Sequence, residues 1–180
     1  ITPDTIAVDL TPWPNTKVIS DVHSVAFRAD SFDAVFCTGL LEHIPDPTKA
    51  LQEIWRILKP GGIAHLEVPF FQGHHPDPQD YWRWTLDGFR LFCTSHGFDE
   101  LDAGVHIGPA TALTWTLQDF FGCLIGTWKG SAKVRACFNI LISPLQLFDL
   151  FLIHRREAHR IACAVYFVGR KQTSPKRAPQ

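Results

Sequence analysis

Ser31 to Phe70 reads SFDAVFCTGLLEHIPDPTKALQEIWRILKPGGIAHLEVPF, and the order of patterns in this stretch decides the fold. Ala34-Val35-Phe36-Cys37 is an apolar run too short for a helix, ended by Thr38 and Gly39, as expected of a strand buried in a parallel sheet. Asp46 is a good N-cap, and Pro47 suits the first helical position, where a missing N–H costs nothing. Leu51, Ile54, Trp55 and Leu58 then recur at i, i+3, i+4 and i+7 and define one buried face, until Pro60-Gly61-Gly62 stops the helix. Ile63 to Val68 is the next strand. Strand, helix, strand is a βαβ crossover, so the expected class is α/β.

Composition narrows the rest. A chain of 180 residues, 46% hydrophobic and 19% charged, has enough apolar material for one packed domain and too little charge for disorder. A formal charge of −1 provides no general attraction to nucleic acid, so nucleic-acid partners are not expected. Cys37, Cys93, Cys123, Cys137 and Cys163 are odd in number and set among apolar residues, the pattern of reduced core cysteines in a cytosolic protein. Ile1-Thr2-Pro3 has neither a basic n-region nor an apolar h-region, and the chain has no methionine, which reads as a fragment or processed form.

LLEHIPDP (Leu40–Pro47) and LKPGG (Leu58–Gly62) together resemble the class I S-adenosylmethionine-dependent methyltransferases of the type 11-like group. In that group one motif follows the fourth strand and the other precedes the fifth. The resemblance runs from Thr5 to Ala103 and extends to a last strand at Ile161–Lys171. It implies a Rossmann-like parallel sheet, with Thr5–Leu10 and Lys17–Ser20 as its second and third strands. It also implies that the first strand, the following helix and the glycine-rich loop between them are missing, since Gly61-Gly62 ends a helix and does not open one. The sheet is therefore expected to be incomplete at the N-terminus, with Thr5–Leu10 and Ala34–Cys37 facing each other across a gap or drawn together abnormally.

The same resemblance implies S-adenosylmethionine as cofactor. Asp9 would take the ribose hydroxyls, Asp21 the adenine amine, and the Val22 N–H a ring nitrogen. Cys37, Thr38 and Gly39 would lie under the cofactor, with Leu41 against its adenine or methionine portion. Asp9 alone would equally serve a nicotinamide-dependent reductase. Ligands of open α/β sheets sit beyond the carboxyl ends of the strands, which directs attention to the loop FFQGHHPDPQDYWRWT after the fifth strand. His43, His75 and Tyr81 are the catalytic candidates, and His75, Tyr81 and Arg83 the substrate contacts. His74, His75, Asp77 and Asp80 lack an i, i+4 pair or a distant third ligand, so no metal is expected.

Thr85 caps a helix carrying Phe89, Phe92 and Cys93 and closed by Gly97. Residues 109–160 form an apolar helical insertion within a methyltransferase-like domain of residues 1–171, and residues 172–180 a disordered tail. Ala110–Trp128 and Val134–Ile153 approach membrane-spanning length, but Gln118 and Asp119 interrupt the first, and Asn139, Pro144 and Asp149 the second. Lys129, Lys133, Arg135, Arg155, Arg156 and Arg160 flank them, which adds peripheral membrane contact to the expectation of a cytoplasmic protein. The expected function is methyl transfer to a small-molecule or lipid-linked acceptor; the alternative is a non-catalytic methyltransferase-like binding or structural module. Oligomeric state has no signature in the sequence.

Overall fold

A computed structural model describes residues 5–76 and 78–173. The deciding stretch forms as read. Strand β3 (Phe32–Thr38) runs into a 3-10 turn at Leu41–His43, helix α1 (Pro47–Ile57) and strand β4 (Leu58–Pro69). Asp46 caps α1 through Oδ1, which accepts from the Lys49 N–H at 3.2 Å, and Pro47 is its first residue. β4 begins earlier than Ile63 because Leu58 already pairs with Phe32. The partner then jumps to Ile63 opposite Ala34, so Lys59–Gly62 bulge outward, with Gly61 at φ +78°.

β3 and β4 are parallel, and the sheet continues in the order β3-β4-β6-β5, with β5 at Phe98–Ile107 and β6 at Ala164–Lys171. β6 is antiparallel to both neighbours, so the sheet is mixed. β5 is an addition to the strands read from sequence. The strand expected at Thr5–Leu10 shrinks to β1 (Val8–Asp9), and that at Lys17–Ser20 to β2 (Val18–Ile19). These two pair in parallel as a separate sheet, and neither is bonded to β3. The sheet is thus interrupted between β1 and β3, which are not drawn together as neighbours.

One sheet face is dry. Ala64, Leu66 and Val68 of β4 alternate inward and meet Val165 and Phe167 of β6, Leu51 and Ile54 of α1, and Phe89 and Cys93 of helix α2 (Leu86–Ser95). Thr85 Oγ1 caps α2, accepting from Gly88 N–H at 3.1 Å, and Gly97 at φ +88° closes it. At the base of the sheet the buried Lys171 ammonium donates to Asp30 Oδ1 and to the Leu58 carbonyl, both at 2.6 Å, and lies 4.0 Å over the Trp55 ring. The opposite face holds a row of rings, Phe36, His65 and Tyr166, with successive centroids 5.7 and 5.9 Å apart. Phe36 there is 75% exposed.

The insertion comprises α3 (Pro109–Ile125), α4 (Ser131–Ile142), a 3-10 segment at Ser143–Phe148 and α5 (Asp149–Leu152). Its two ends are tied together: the Asp149 carboxylate accepts from the N–H groups of Ala110 and Thr111, both at 2.8 Å, and from Thr111 Oγ1 at 2.7 Å. That carboxylate satisfies the open donors of the first turn of α3. Of the five cysteines, all free, Cys123 and Cys137 on this insertion are exposed, so the expectation of core cysteines holds for Cys37, Cys93 and Cys163 only. The tail expected to be disordered lies, beyond Thr173, outside the described residues, as does Asp77 of the histidine loop.

Candidate functional site

Parallel pairing of β3 with β4 places Cys37 beside Leu66 and Thr38 beside Glu67, so the segments leaving the two carboxyl ends must run side by side. They are stapled together. Tyr81 N–H donates to the Glu42 carbonyl at 2.7 Å, His43 Nδ1 to the Gln79 carbonyl at 2.6 Å, and Trp82 Nε1 to the Ile44 carbonyl at 3.0 Å. The loop is in turn held by Asp80 and Arg83. Arg83 donates to both Asp80 oxygens at 2.5 and 2.6 Å and to the carbonyls of Gln72 and Gly73 at 3.0 and 2.8 Å. Asp80 Oδ2 also accepts from His75 N–H at 2.9 Å. The Asp80 side chain is 1% exposed. The guanidinium hydrogen bonds keep its carboxyl far below the usual carboxylate range.

This clasp carries His75 to His43, their rings edge to face with centroids 5.1 Å apart. Glu42 lies beside them, 3% exposed, with Oε1 3.8 Å from His43 Nε2 and Oε2 without a hydrogen-bond partner. Burial raises the carboxyl of Glu42 above its ordinary range, against the opposing pull of His43, His75 and Arg83. Both ring tautomers follow from their neighbours. The Gln79 carbonyl can only accept, so His43 carries its proton on Nδ1. At His75, Nδ1 faces the Gly73 carbonyl at 3.0 Å and Arg83 Nη2 at 3.2 Å. Both hydrogens of that Nη2 already serve the shorter bonds to Gly73 and Asp80, so Nδ1 of His75 is the donor as well. Each ring is left with an Nε2 that has no hydrogen-bond partner among the described residues.

A cavity of about 690 Å³ opens next to the loop, bounded by Gly73 and His74 on one side and by Gln118, Asp119, Arg135 and Asn139 of α3 and α4 on the other. Gln118, Asp119 and Asn139, which interrupt the apolar segments, therefore line a hollow.

The expected cofactor residues fall into two groups. Asp9 ends β1, exposed, with Oδ1 accepting from Thr11 N–H at 2.8 Å and Oδ2 without a bond from any of the described residues. Asp21 Oδ1 caps the short turn Val22–Ser24, accepting from His23 N–H and facing His23 Nδ1, both at 2.8 Å; these contacts lower its pKa. Val22 packs half-buried against the core. Thr38 and Gly39 are exposed, and Gly39, at φ +58°, has no atom within 3.9 Å of where a Cβ would stand. A free carboxylate oxygen at Asp9 and open backbone at Gly39 suit an adenosine group. Leu41 and Cys37 do not. Leu41 is wholly buried in the core and offers a ligand no surface. Cys37 is buried too, its thiol pushed up to about 12 by burial, so contact there falls to its backbone.

Of the acceptor-side candidates, the fold brings His43 and His75 together. It spends Arg83 on the loop's own carbonyls and Asp80, which corrects its reading as a substrate contact, and leaves Tyr81 exposed at the rim. Glu42 was not among the expected site residues. Its signal was present as the one acid within the apolar run Leu40-Leu41-Glu42-His43-Ile44.

Comparison with known proteins agrees with this fold. The sequence profile described as "Methyltransferase domain" matches residues 4–66. The chain is 54% identical over 124 residues to a ubiquinone biosynthesis O-methyltransferase of Xanthomonas oryzae pv. oryzae, covering 62% of this chain and 46% of that protein. It is 30% identical over 135 residues to the 2-methyl-6-phytyl-1,4-hydroquinone methyltransferase of Synechocystis, covering 69% and 42%. The chain thus spans less than half the length of these relatives. The crystal structure of the Burkholderia thailandensis 1,6-didemethyltoxoflavin-N1-methyltransferase, which holds its acceptor and S-adenosylhomocysteine, superposes with a TM-score of 0.54 at 15% identity, over 93% of this chain and 60% of that one. That likeness establishes the fold. Two sequence motifs, the strand order and the profile thus agree on a domain of the class I S-adenosylmethionine-dependent methyltransferase type.

Proposed function

We propose that this chain carries the acceptor end of an S-adenosylmethionine-dependent methyltransferase that methylates a hydroxyl group on a small aromatic or lipid-like acceptor. The observation that supports it best is the bare Nε2 of His43, held in its tautomer by the Gln79 carbonyl and set 3.8 Å from the buried Glu42 carboxyl at the carboxyl end of β3. Hydroxyl methylation requires removal of one proton; amine acceptors need no base at the moment of attack when they enter neutral. S-adenosylmethionine, when bound, would supply the electrophilic methyl on a sulfonium whose leaving group is a neutral thioether. His43 Nε2 takes the acceptor's hydroxyl proton as the oxygen bonds the methyl carbon. Glu42 favours the imidazolium that results, while the Asp80–Arg83 clasp holds the rings to the alignment on which methyl transfer depends. Asp9 and the backbone at Gly39 would hold the cofactor's adenosine portion.

The insertion is read as a lid that meets an anionic lipid surface on the cytosolic side. The helical run Ser131–Leu152 has the length and composition to cross a membrane, with mean hydropathy 1.3 over its most apolar 18 residues and none of those buried in the domain. A spanning position would break the bonds of Asp149 to the start of α3, so the run is assigned to the interface. Lipid contact would deliver an apolar acceptor to the cavity beside His74.

The test is transfer of labelled methyl from S-adenosylmethionine to matched hydroxyl and amine forms of one aromatic acceptor, with cofactor affinity measured by calorimetry. Label is expected on the hydroxyl form, with loss of transfer in His43→Ala, and Asp9→Ala is expected to weaken cofactor binding by about 1–3 kcal/mol through lost charge-assisted hydrogen bonds. Label confined to the amine, or full activity in His43→Ala, would overturn the reading.

A further inference from the structure

Glu42, His43 and His75 each offer one ligand atom, and the three atoms lie within 4.8 Å of one another. All three groups present lone pairs. The Nδ1 hydrogens of both rings are committed to the carbonyls of Gln79 and Gly73, and Oε2 of the buried Glu42 has no donor in reach. Acceptor atoms brought together with no donor between them repel, and a positive charge at their centre relieves that repulsion. Rings pinned through Nδ1 to backbone carbonyls, with Nε2 free, are also the outer-shell pattern of metal-bound histidine.

We propose that Glu42, His43 and His75 bind a divalent transition-metal ion and leave a coordination position open for the acceptor oxygen. Two imidazoles and one carboxylate suit zinc-like ions better than magnesium or calcium. Ligand atoms of a tetrahedral ion stand roughly 3.4 Å apart, from bond lengths near 2.1 Å. Oε1 of Glu42 and Nε2 of His43 are already 3.8 Å apart, and side-chain rotation closes the remainder. His75, half-exposed, gives the ion a way in. A metal-bound hydroxyl loses its proton far more readily than a free one, so in the metal-loaded state, where Nε2 of His43 is a ligand, activation of the acceptor passes from His43 to the ion. The inference rests on the reading of this cluster as the acceptor end, but its test does not depend on activity.

The experiment titrates chelator-treated full chain with Co²⁺ and follows the visible d–d absorption. One equivalent should bind saturably, with Glu42→Gln and His75→Ala each weakening affinity about tenfold or more. His74→Ala, which alters the neighbouring ring, should leave it unchanged. Circular dichroism confirms that the variants fold, and Glu42→Gln keeps the shape of the buried side chain. Absence of saturable binding, equal affinity in the wild type and both ligand variants, or dependence on His74 in place of His75 would overturn the site. Metal binding without methyl transfer would sink the functional reading alone; chelator-insensitive methyl transfer by a chain that takes up no Co²⁺ would sink the metal alone.

Discussion

The Asp80–Arg83 clasp gives the sharpest test of how this site is built. Asp80 is 1% exposed, and its cover consists of Arg83 and His75, whose side chains are 26% and 34% exposed. A fully buried pair costs about 3–5 kcal/mol when one partner is removed. Water at the guanidinium lowers that, so Asp80→Ala and Arg83→Ala are each expected to cost about 3 kcal/mol. Each single variant also loses bonds outside the pair: Asp80 its bond from His75 N–H, Arg83 those to Gln72 and Gly73. The double variant should therefore cost about 4 kcal/mol and not 6, leaving a coupling energy of about 2 kcal/mol. Urea unfolding of the four proteins at pH 7 measures it. Additivity to within about 0.5 kcal/mol would refute the clasp as an energetic unit.

The same pair fixes the direction of a pH effect. The folded-state pKa of Asp80 lies below its unfolded value near 3.9. Its contribution is therefore complete above about pH 4 and is lost as pH falls further, by up to about 1.4 kcal/mol per pH unit. Wild type should lose stability relative to Asp80→Asn between about pH 4 and 2, and the difference between them should be flat from pH 5 to 8. A difference that changes across neutral pH would mean that His75, and not Asp80, carries the linkage.

Three further outcomes are expected. Lys171→Met should destabilise by about 2–3 kcal/mol, because the Leu58 carbonyl loses its donor and Trp55 its cation; a loss under about 0.5 kcal/mol in thermal or urea unfolding would show that the buried ammonium is neutral to stability. Thiol titration of native protein should find two fast groups, Cys123 and Cys137, with Cys37, Cys93 and Cys163 reacting only on unfolding; five equal rates would contradict the packing. The chain should cosediment with anionic vesicles in a salt-sensitive manner, and replacing Arg155, Arg156 and Arg160 by Gln should reduce the bound fraction; equal recovery in the supernatant with and without vesicles would leave the insertion a plain lid.

How far the sequence carried depends on whether local chemistry or tertiary pairing decides an element. α1 was legible because cap, first-turn proline and apolar face coincide in Asp46, Pro47, Leu51 and Ile54. The capped start and glycine stop of α2 were legible for the same reason. β5 was not, since Asp99, Glu100 and Asp102 break the apolar signal of a strand whose pairing comes wholly from β6 at the sheet edge. β1 fell short of its expected six residues because Ile6, Val8 and Leu10 are exposed: apolar sequence extends a strand only where a neighbour stands to pair and cover it.

The site repeats this lesson at the level of chemistry. No spacing links Glu42 and His43 to His75, 32 residues further on, so no ligand pattern exists to be read along the chain. Their meeting follows from the parallel register of Cys37 with Leu66 and Thr38 with Glu67, which sets the two strand exits side by side. The staples from His43 to Gln79 and from Tyr81 to Glu42 then bring the loop back over the turn. Arg83, which in sequence resembles a substrate contact, is consumed in making that return possible. A residue's type indicated that it was fit for chemistry, but the hydrogen bonds already claimed by the backbone decided which of these residues are free to perform it. Glu42 and the two Nε2 atoms are what remains after that claim, and on this ground they, and not the more conspicuous Tyr81 and Arg83, are assigned the chemistry of the site.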